Sequence, residues 1–148
     1  MKRVVVVLPY VDNKVLFQLR DIDKKIIYKG KWGYFGGSID KNEAPLDTAF
    51  REIEEETGLK PKFLCYHGID HPIASVTSYL YSFPLKNSLS DINLTEGVDF
   101  GLISMNDIAK GEAFSKKLQK NYPIIRLHFI KRTMERALGI RNEIIRVK

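Results

Sequence analysis

An α/β fold is the class this sequence predicts, on three observations. Near-continuous apolar runs of strand length fill 2–11 and 14–20. A helical apolar rhythm occupies 44–57, and a second one starts near Pro123. Strand signals return between these two helices, so strands and helices alternate along the chain. A length of 148 residues predicts a single domain over 1–148, large enough for a real core.

The first strand carries Val4-Val5-Val6-Val7-Leu8 without a polar interruption, which predicts burial on both faces. Its start, Met1-Lys2-Arg3 before an apolar run, faintly imitates a signal peptide. The run is short, however, and Pro9, Asp12 and Asn13 end it without a small-residue cleavage site. Val11-Asp12-Asn13-Lys14 is the turn into the second strand, which ends at Arg20. Lys31-Trp32-Gly33-Tyr34-Phe35 then leads to Gly36-Gly37, where a backbone turns tightly or meets a ligand with no Cβ in the way. Trp32, Tyr34 and Phe35 offer flat faces for stacking on a base, and one or two of them are expected to serve as core instead.

Over 44–57, Leu46, Ala49, Phe50 and Ile53 recur at i, i+3, i+4 and i+7. Pro45 suits a first helical turn, and Gly58 is a stop just past the end. Strands are expected over 62–69 and 75–85. His67 and His71 stand four apart, but Gly68 and Pro72 argue against the helix that would pair them on a metal. A polar loop over 88–97, with Asp91 and Glu96, and then Asp99 precede a strand at 100–104. Pro123 is read as opening a last amphipathic helix, with Ile124, Ile125, Leu127, His128, Ile130, Met134 and Leu138 covering the sheet and His128 as a core member. Residues 143–148 read as a terminal strand or a tail.

Composition is that of an ordinary globular chain, 44% hydrophobic and 28% charged, with no run of eighteen apolar residues that would span a membrane. The single Cys65 forbids an internal disulfide, fits a reducing cytoplasm and, in its apolar stretch, is expected in the core. The net charge of +6 is uneven. From Lys110 onward eleven Lys/Arg face three Asp/Glu, leaving thirteen against fifteen in the rest. A solvated helix face is the first reading of that basic third, ahead of a nucleic-acid contact.

The chemistry sits on the first helix. Glu52, Glu55 and Glu56 at i, i+3 and i+4 share one face, about a right angle from the apolar stripe. Like charges so placed repel, and a hard divalent cation would remove the repulsion. Arg51 can reach Glu55 at i+4. The full spacing is Gly37, five residues, Glu43, seven residues, then Arg51-Glu52-Ile53, Glu55-Glu56 and Gly58-Leu59. A chance match at ordinary residue usage is on the order of 10⁻⁷ for such a chain. The sequence thus resembles the Nudix hydrolases, with no fixed position of their signature missing.

That resemblance implies an α/β/α sandwich with a mixed sheet between helices, and hydrolysis of a nucleoside diphosphate linked to a further group. It implies Mg²⁺ or Mn²⁺ held by Glu52, Glu55 and Glu56, with a backbone carbonyl of Gly36 or Gly37. Either Glu52 or Glu96 would take the proton from water, with Asp99 second to Glu96 as the loop's acid. Glu43 and Arg51 would orient the loop and helix, and Arg20 would reach substrate phosphate. A short helix over 105–110 also matches the family. Phe35 departs from the pattern by standing where a Pro is usual.

Subfamily marks are missing: no Gln-Pro-Trp-Pro-Phe-Pro stretch follows Leu59, and Ala74 stands where an ADP-ribose-type Pro would fall. A nucleoside triphosphate or oxidised nucleotide is therefore the substrate expected first, and a nucleotide sugar or ADP-ribose second. The partner expected is a small-molecule nucleotide, with membrane and nucleic acid not expected and a homodimer left open. A Nudix domain kept as a nucleotide sensor is the competing reading, and the intact carboxylate set weighs against it.

Overall fold

A computed structural model describes residues 1–22, 29–86, 89–95 and 97–139. Glu96 and the expected terminal segment 143–148 lie outside the described residues. Strands β1 (Lys2–Val11) and β2 (Lys14–Leu19) form the expected hairpin, with Asp12 at φ 53° in its two-residue turn. The chain continues through β3 (Trp32–Gly33), β4 (Phe35–Ser38), helix α1 (Pro45–Thr57), β5 (Cys65–Asp70) and β6 (Val76–Pro84). A short 3₁₀ turn, Leu89–Asp91, precedes β7 (Asp99–Ser104), and α2 (Met105–Lys110), β8 (Glu112–Ser115), β9 (Lys120–Pro123) and α3 (Leu127–Leu138) complete it.

Strands β1 to β7 make one mixed sheet. In it β1 runs parallel to β6 and antiparallel to β2 and β4, while β2 also pairs with β3 and β7, and β5 lies beyond β6. The unbroken valine run in β1 follows from its position. Val5 and Val7 face α1 through Ala49 and Ile53, whereas Val6 and Leu8 face α3 through Phe129, Ile130 and Met134. The sandwich therefore has two cores, one on each side of the sheet. Ile53 is fully buried, and its truncation to Ala is expected to cost about 2–5 kcal/mol.

Helix α1 starts at Pro45 and stops at Gly58, whose φ of 77° is the left-handed cap. Its last four carbonyls are all satisfied. Gly58 N donates to Glu54, Thr95 Oγ1 to Glu55, Thr95 N to Glu56 and Asn93 N to Thr57. The polar loop after β6 is thus pinned to the C-terminal end of the signature helix.

Four expectations are corrected. Helix α3 begins at Leu127, not Pro123. Ile124 bridges to Trp32 in strand fashion, and Arg126 turns the chain at φ 45° before the helix starts. His128 then falls on the exposed side of α3. Leu46 is exposed, because the buried face of α1 runs through Thr48, Ala49, Ile53, Glu56 and Thr57. Cys65 is exposed on β5. Among the described residues, no helix is long and apolar enough to cross a membrane.

Candidate active site

The double glycine is a packing necessity before it is a chemical one. Gly37 and Gly36 in β4 pair with Val5 and Val6 of β1. Gly36 has φ 153°, and a Cβ there would run into the Val5 carbonyl oxygen. A Cβ on Gly37 would strike the Glu52 carboxylate, whose Oε2 would lie 2.8 Å away. The absence of side chains lets α1 lay its carboxylates against the β4 backbone.

Those carboxylates sit in three environments. Glu56 is 7% exposed; its Oε1 accepts from Gly36 N at 2.9 Å and its Oε2 from Gln18 Nε2 at 3.0 Å. Glu52 is half-buried and accepts from Arg51 Nη1 at 3.1 Å. Burial pushes the Glu52 carboxyl above its usual range, and Glu55 adds to this against the opposing charge of Arg51. Glu55 is exposed and lies 3.3 Å from Arg51 Nη1.

Arg51 also makes a two-point bond to Glu43, Nε to Oε2 and Nη2 to Oε1, both at 2.9 Å. Thr48 Oγ1 donates to Glu43 Oε1 at 2.7 Å. The Arg51 hydrogen bonds first, then that of Thr48, pull the Glu43 carboxyl down to about 2.

The sequence matches the family described as NUDIX domain over residues 1–122. The chain belongs to the Nudix hydrolase family. Solved structures with the same fold include a MutT NUDIX hydrolase from Burkholderia pseudomallei, at 17% identity and TM-score 0.67, covering 91% of this chain and 96% of that one. An ADP-ribose pyrophosphatase from Streptococcus suis matches at 17% identity and TM-score 0.67, with coverage of 94% and 90%. The NUDIX domain of Shewanella oneidensis NrtR, complexed with ADP ribose, matches at 20% identity and TM-score 0.60, with coverage of 91% and 86%. At such identities these structures speak for the fold alone.

The Nudix helix supplies a donor set suited to a hard divalent cation: carboxylates only, each oxygen keeping acceptor capacity beyond its hydrogen bond. Among the described residues, no three acidic, His or Cys side chains already converge as a metal cluster. Glu52 and Glu55 lean on Arg51 instead, and Glu56 on Gln18 and Gly36. Sharing one ion would require these carboxylates to converge by side-chain rotation.

Beside this face opens a cleft of about 460 Å³, lined by Gly36, Gly37, Glu56, Gln18 and, from the far side, Ile125, Arg126, Phe129 and Ile130. Arg20 and Tyr34 also line it. Two expected stacking residues do not present a face. Trp32 is 1% exposed, its indole Nε1 donating to the Ala113 carbonyl at 3.0 Å, and Phe35 abuts the cleft from within the core at 0% exposure. Tyr34 is wedged beside Phe17, with its hydroxyl 2.8 Å from Thr133 Oγ1 and 3.2 Å from the Ile130 carbonyl oxygen. Burial pushes that phenol far above its ordinary range. Asp99 accepts from Ser115 Oγ at 2.6 Å, so its carboxylate tethers the β8–β9 hairpin. A smaller apolar groove of about 290 Å³, around Leu59, Phe63 and Phe83, shares no lining residue with the cleft.

Sequence reading missed Gln18, Lys2, Ser78, Arg126 and Phe129 as cleft residues. Gln18 did leave a signal: it is the one amide in the otherwise apolar Val15-Leu16-Phe17-Gln18-Leu19, and a buried amide needs a partner.

Proposed function

We propose that the protein hydrolyses the pyrophosphate linkage of a nucleoside diphosphate derivative by attack of water at phosphorus, with nucleoside triphosphates, oxidised ones included, as the substrate class. The observation that carries this reading is the complete Nudix signature, whose Gly37 and Glu56 line a cleft that is also lined by Lys2, Arg20 and Arg126. Polyphosphate brings negative charge toward carboxylates, and the cationic residues of the cleft lining offset that charge.

Glu52, Glu55 and Glu56, with a carbonyl of Gly36 or Gly37, would hold Mg²⁺ or Mn²⁺. A bound divalent cation supplies Lewis acidity, offsetting phosphate charge and making water more acidic. Glu52 suits the base role because burial already raises its proton affinity. Glu96 stays the alternative base. Arg20 would hold phosphate, and Arg51, clasped by Glu43, would orient the Glu52 carboxylate that it contacts.

A second reading, ADP-ribose or a nucleotide sugar as substrate, draws on the Streptococcus suis and Shewanella oneidensis structures. A third, nucleotide sensing without cleavage, predicts binding without turnover. The deciding experiment is a cleavage panel with Mg²⁺ or Mn²⁺, read as the nucleoside monophosphate formed. It covers dNTPs, oxidised dGTP, nucleotide sugars and ADP-ribose, with Glu55→Gln as control. One preferred substrate that the control leaves intact supports hydrolysis, whereas bound nucleotide and no cleavage of any substrate would overturn it.

A further inference from the structure

Ser78 is the third residue of β6, paired in parallel register with Val4 of β1 and opposite Asp70 of β5. It is 0% exposed, and among the described residues its Oγ is the one buried side-chain polar atom with no hydrogen-bond partner. Other buried hydroxyls nearby are all satisfied. Ser82, four residues on and on the same face, lies 2.6 Å from His67 Nε2, and Thr133 donates to the Phe129 carbonyl at 2.7 Å. A buried hydroxyl left unpaired is disfavoured, and an alanine would fill the same space without that cost. The exception coincides with the cleft, which Ser78 lines together with Val4, Val6, Phe129 and Ile130.

We propose that Ser78 is a specificity-determining residue, its hydroxyl turning to hydrogen-bond the heteroaromatic edge of a nucleotide base in the inner part of the cleft. The proposal rests on the reading that a nucleotide occupies this cleft. Strand register supports the placement. Gly36, which donates to Glu56, pairs with Val6 on one side of β1, and Ser78 pairs with Val4 on the other. The two positions are therefore offset by about 7 Å along the strands and about 10 Å across them. That is the reach of a nucleotide laid with its phosphates toward the carboxylates and its base under α3. The hydroxyl is covered in the present arrangement, and rotation about χ1 between staggered wells is the motion by which it would turn to a ligand. Apolar walls exclude competing water, so one hydrogen bond there discriminates strongly against a ligand that lacks the group.

Calorimetric titration of wild type, Ser78→Ala and Ser82→Ala with GDP, ADP and inorganic pyrophosphate in Mg²⁺, beside ligand-free thermal melts, tests this. Ser78→Ala should bind the nucleoside diphosphates about tenfold more weakly, bind pyrophosphate unchanged and melt higher than wild type. Ser82→Ala should melt lower, because His67 loses its partner, and keep its nucleotide affinity. Unchanged nucleotide affinity in Ser78→Ala overturns the proposal, as does a parallel loss for nucleotides and pyrophosphate with a lower melting temperature. A wild type that binds neither GDP nor ADP also overturns it. Selective weakening in a protein that cleaves no nucleotide would sustain the role of Ser78 while removing the hydrolase reading. Normal cleavage with unchanged Ser78→Ala affinities would do the reverse.

Discussion

Arg51 clasps Glu43 through two parallel hydrogen bonds of 2.9 Å, and its remaining Nη1 reaches Glu52 at 3.1 Å. One guanidinium thus ties the loop before α1 to the carboxylate expected to do chemistry. A lysine keeps the charge but cannot make the fork. Arg51→Lys should therefore leave the circular dichroism spectrum unchanged and lower turnover about 10–100-fold, the usual cost of losing a residue that orients a ligand group. Turnover equal to wild type would remove Arg51 from any positioning role.

Glu55 and Glu56 invite the same substitution and should answer differently. Both Glu56 oxygens accept hydrogen bonds, from Gly36 N and Gln18 Nε2, inside the protein. In Glu56→Gln the new amide nitrogen must face one of those two donors, unless Gln18 turns its own amide over. A stability loss of about 1–3 kcal/mol is expected alongside the loss of turnover. Glu55 is exposed, so Glu55→Gln should shift stability by no more than about 0.5 kcal/mol while cutting turnover by orders of magnitude. Chemical denaturation together with kcat separates the two cases. A fully active Glu55→Gln protein in Mg²⁺ would take Glu55 out of the ligand set.

The adjacent glycines make a second contrasting pair. Alanine at Gly36 would drive its Cβ into the backbone carbonyl of Val5, in a strand held on both sides. Backbone there cannot move aside, and Gly36→Ala should fail to yield folded protein or should melt far below wild type. Alanine at Gly37 meets only the Glu52 side chain, which can swing away. Gly37→Ala should fold, keep a melting temperature near wild type and lose most of its turnover, because Glu52 is displaced. If both variants fold and work alike, the close approach of Glu52 to β4 is unimportant.

The parts of this fold that were legible in sequence are those whose pattern has one physical meaning. Val4 to Leu8 must be buried on both faces, Pro45 and Gly58 bracket a helix, and the glutamate spacing fixes which turns of α1 carry charge. The β8–β9 hairpin was illegible because Glu-Ala-Phe-Ser and Lys-Asn-Tyr-Pro carry no alternation; Asp99 and Ser115 hold it through a contact sixteen residues apart. The start of α3 was misread because Ile124 and Ile125 serve the sheet, with Ile125 N donating to the Trp32 carbonyl, although their spacing also suits a helix. Within the site, the signature residues were legible and the cleft walls were not. Burial of Trp32 and Phe35, and the orphan hydroxyl of Ser78, depend on what α3 and the neighbouring strands bring opposite them.

The same dependence on tertiary contact makes Asp70 a source of acid sensitivity. Arg132 contacts it through Nε and Nη2, the latter at 2.7 Å, and Arg136 Nη2 lies 2.7 Å from Oδ2, so α3 is latched to the end of β5. Burial alone would raise this carboxyl, but hydrogen bonds from Arg132 and the His71 amide, with both arginine charges, outweigh it and leave it below its usual range. The unfolded chain then binds the Asp70 proton more tightly than the folded one. Its stabilising effect is complete above the unfolded value, about 3.9, and is lost as pH falls through the lower folded value. Glu43, held down at about 2, acts with the same sign. Wild type should lose stability as pH drops from about 5 toward 2. Asp70→Asn should be less stable at pH 7 by about 2–3 kcal/mol, short of the cost for a fully buried pair because both arginines are partly exposed. Its stability should also depend less on pH across that window, the remaining slope coming from Glu43 and other carboxylates. Urea denaturation of both proteins at half-unit steps of pH decides it, and parallel curves would mean that the latch carries no part of the acid response.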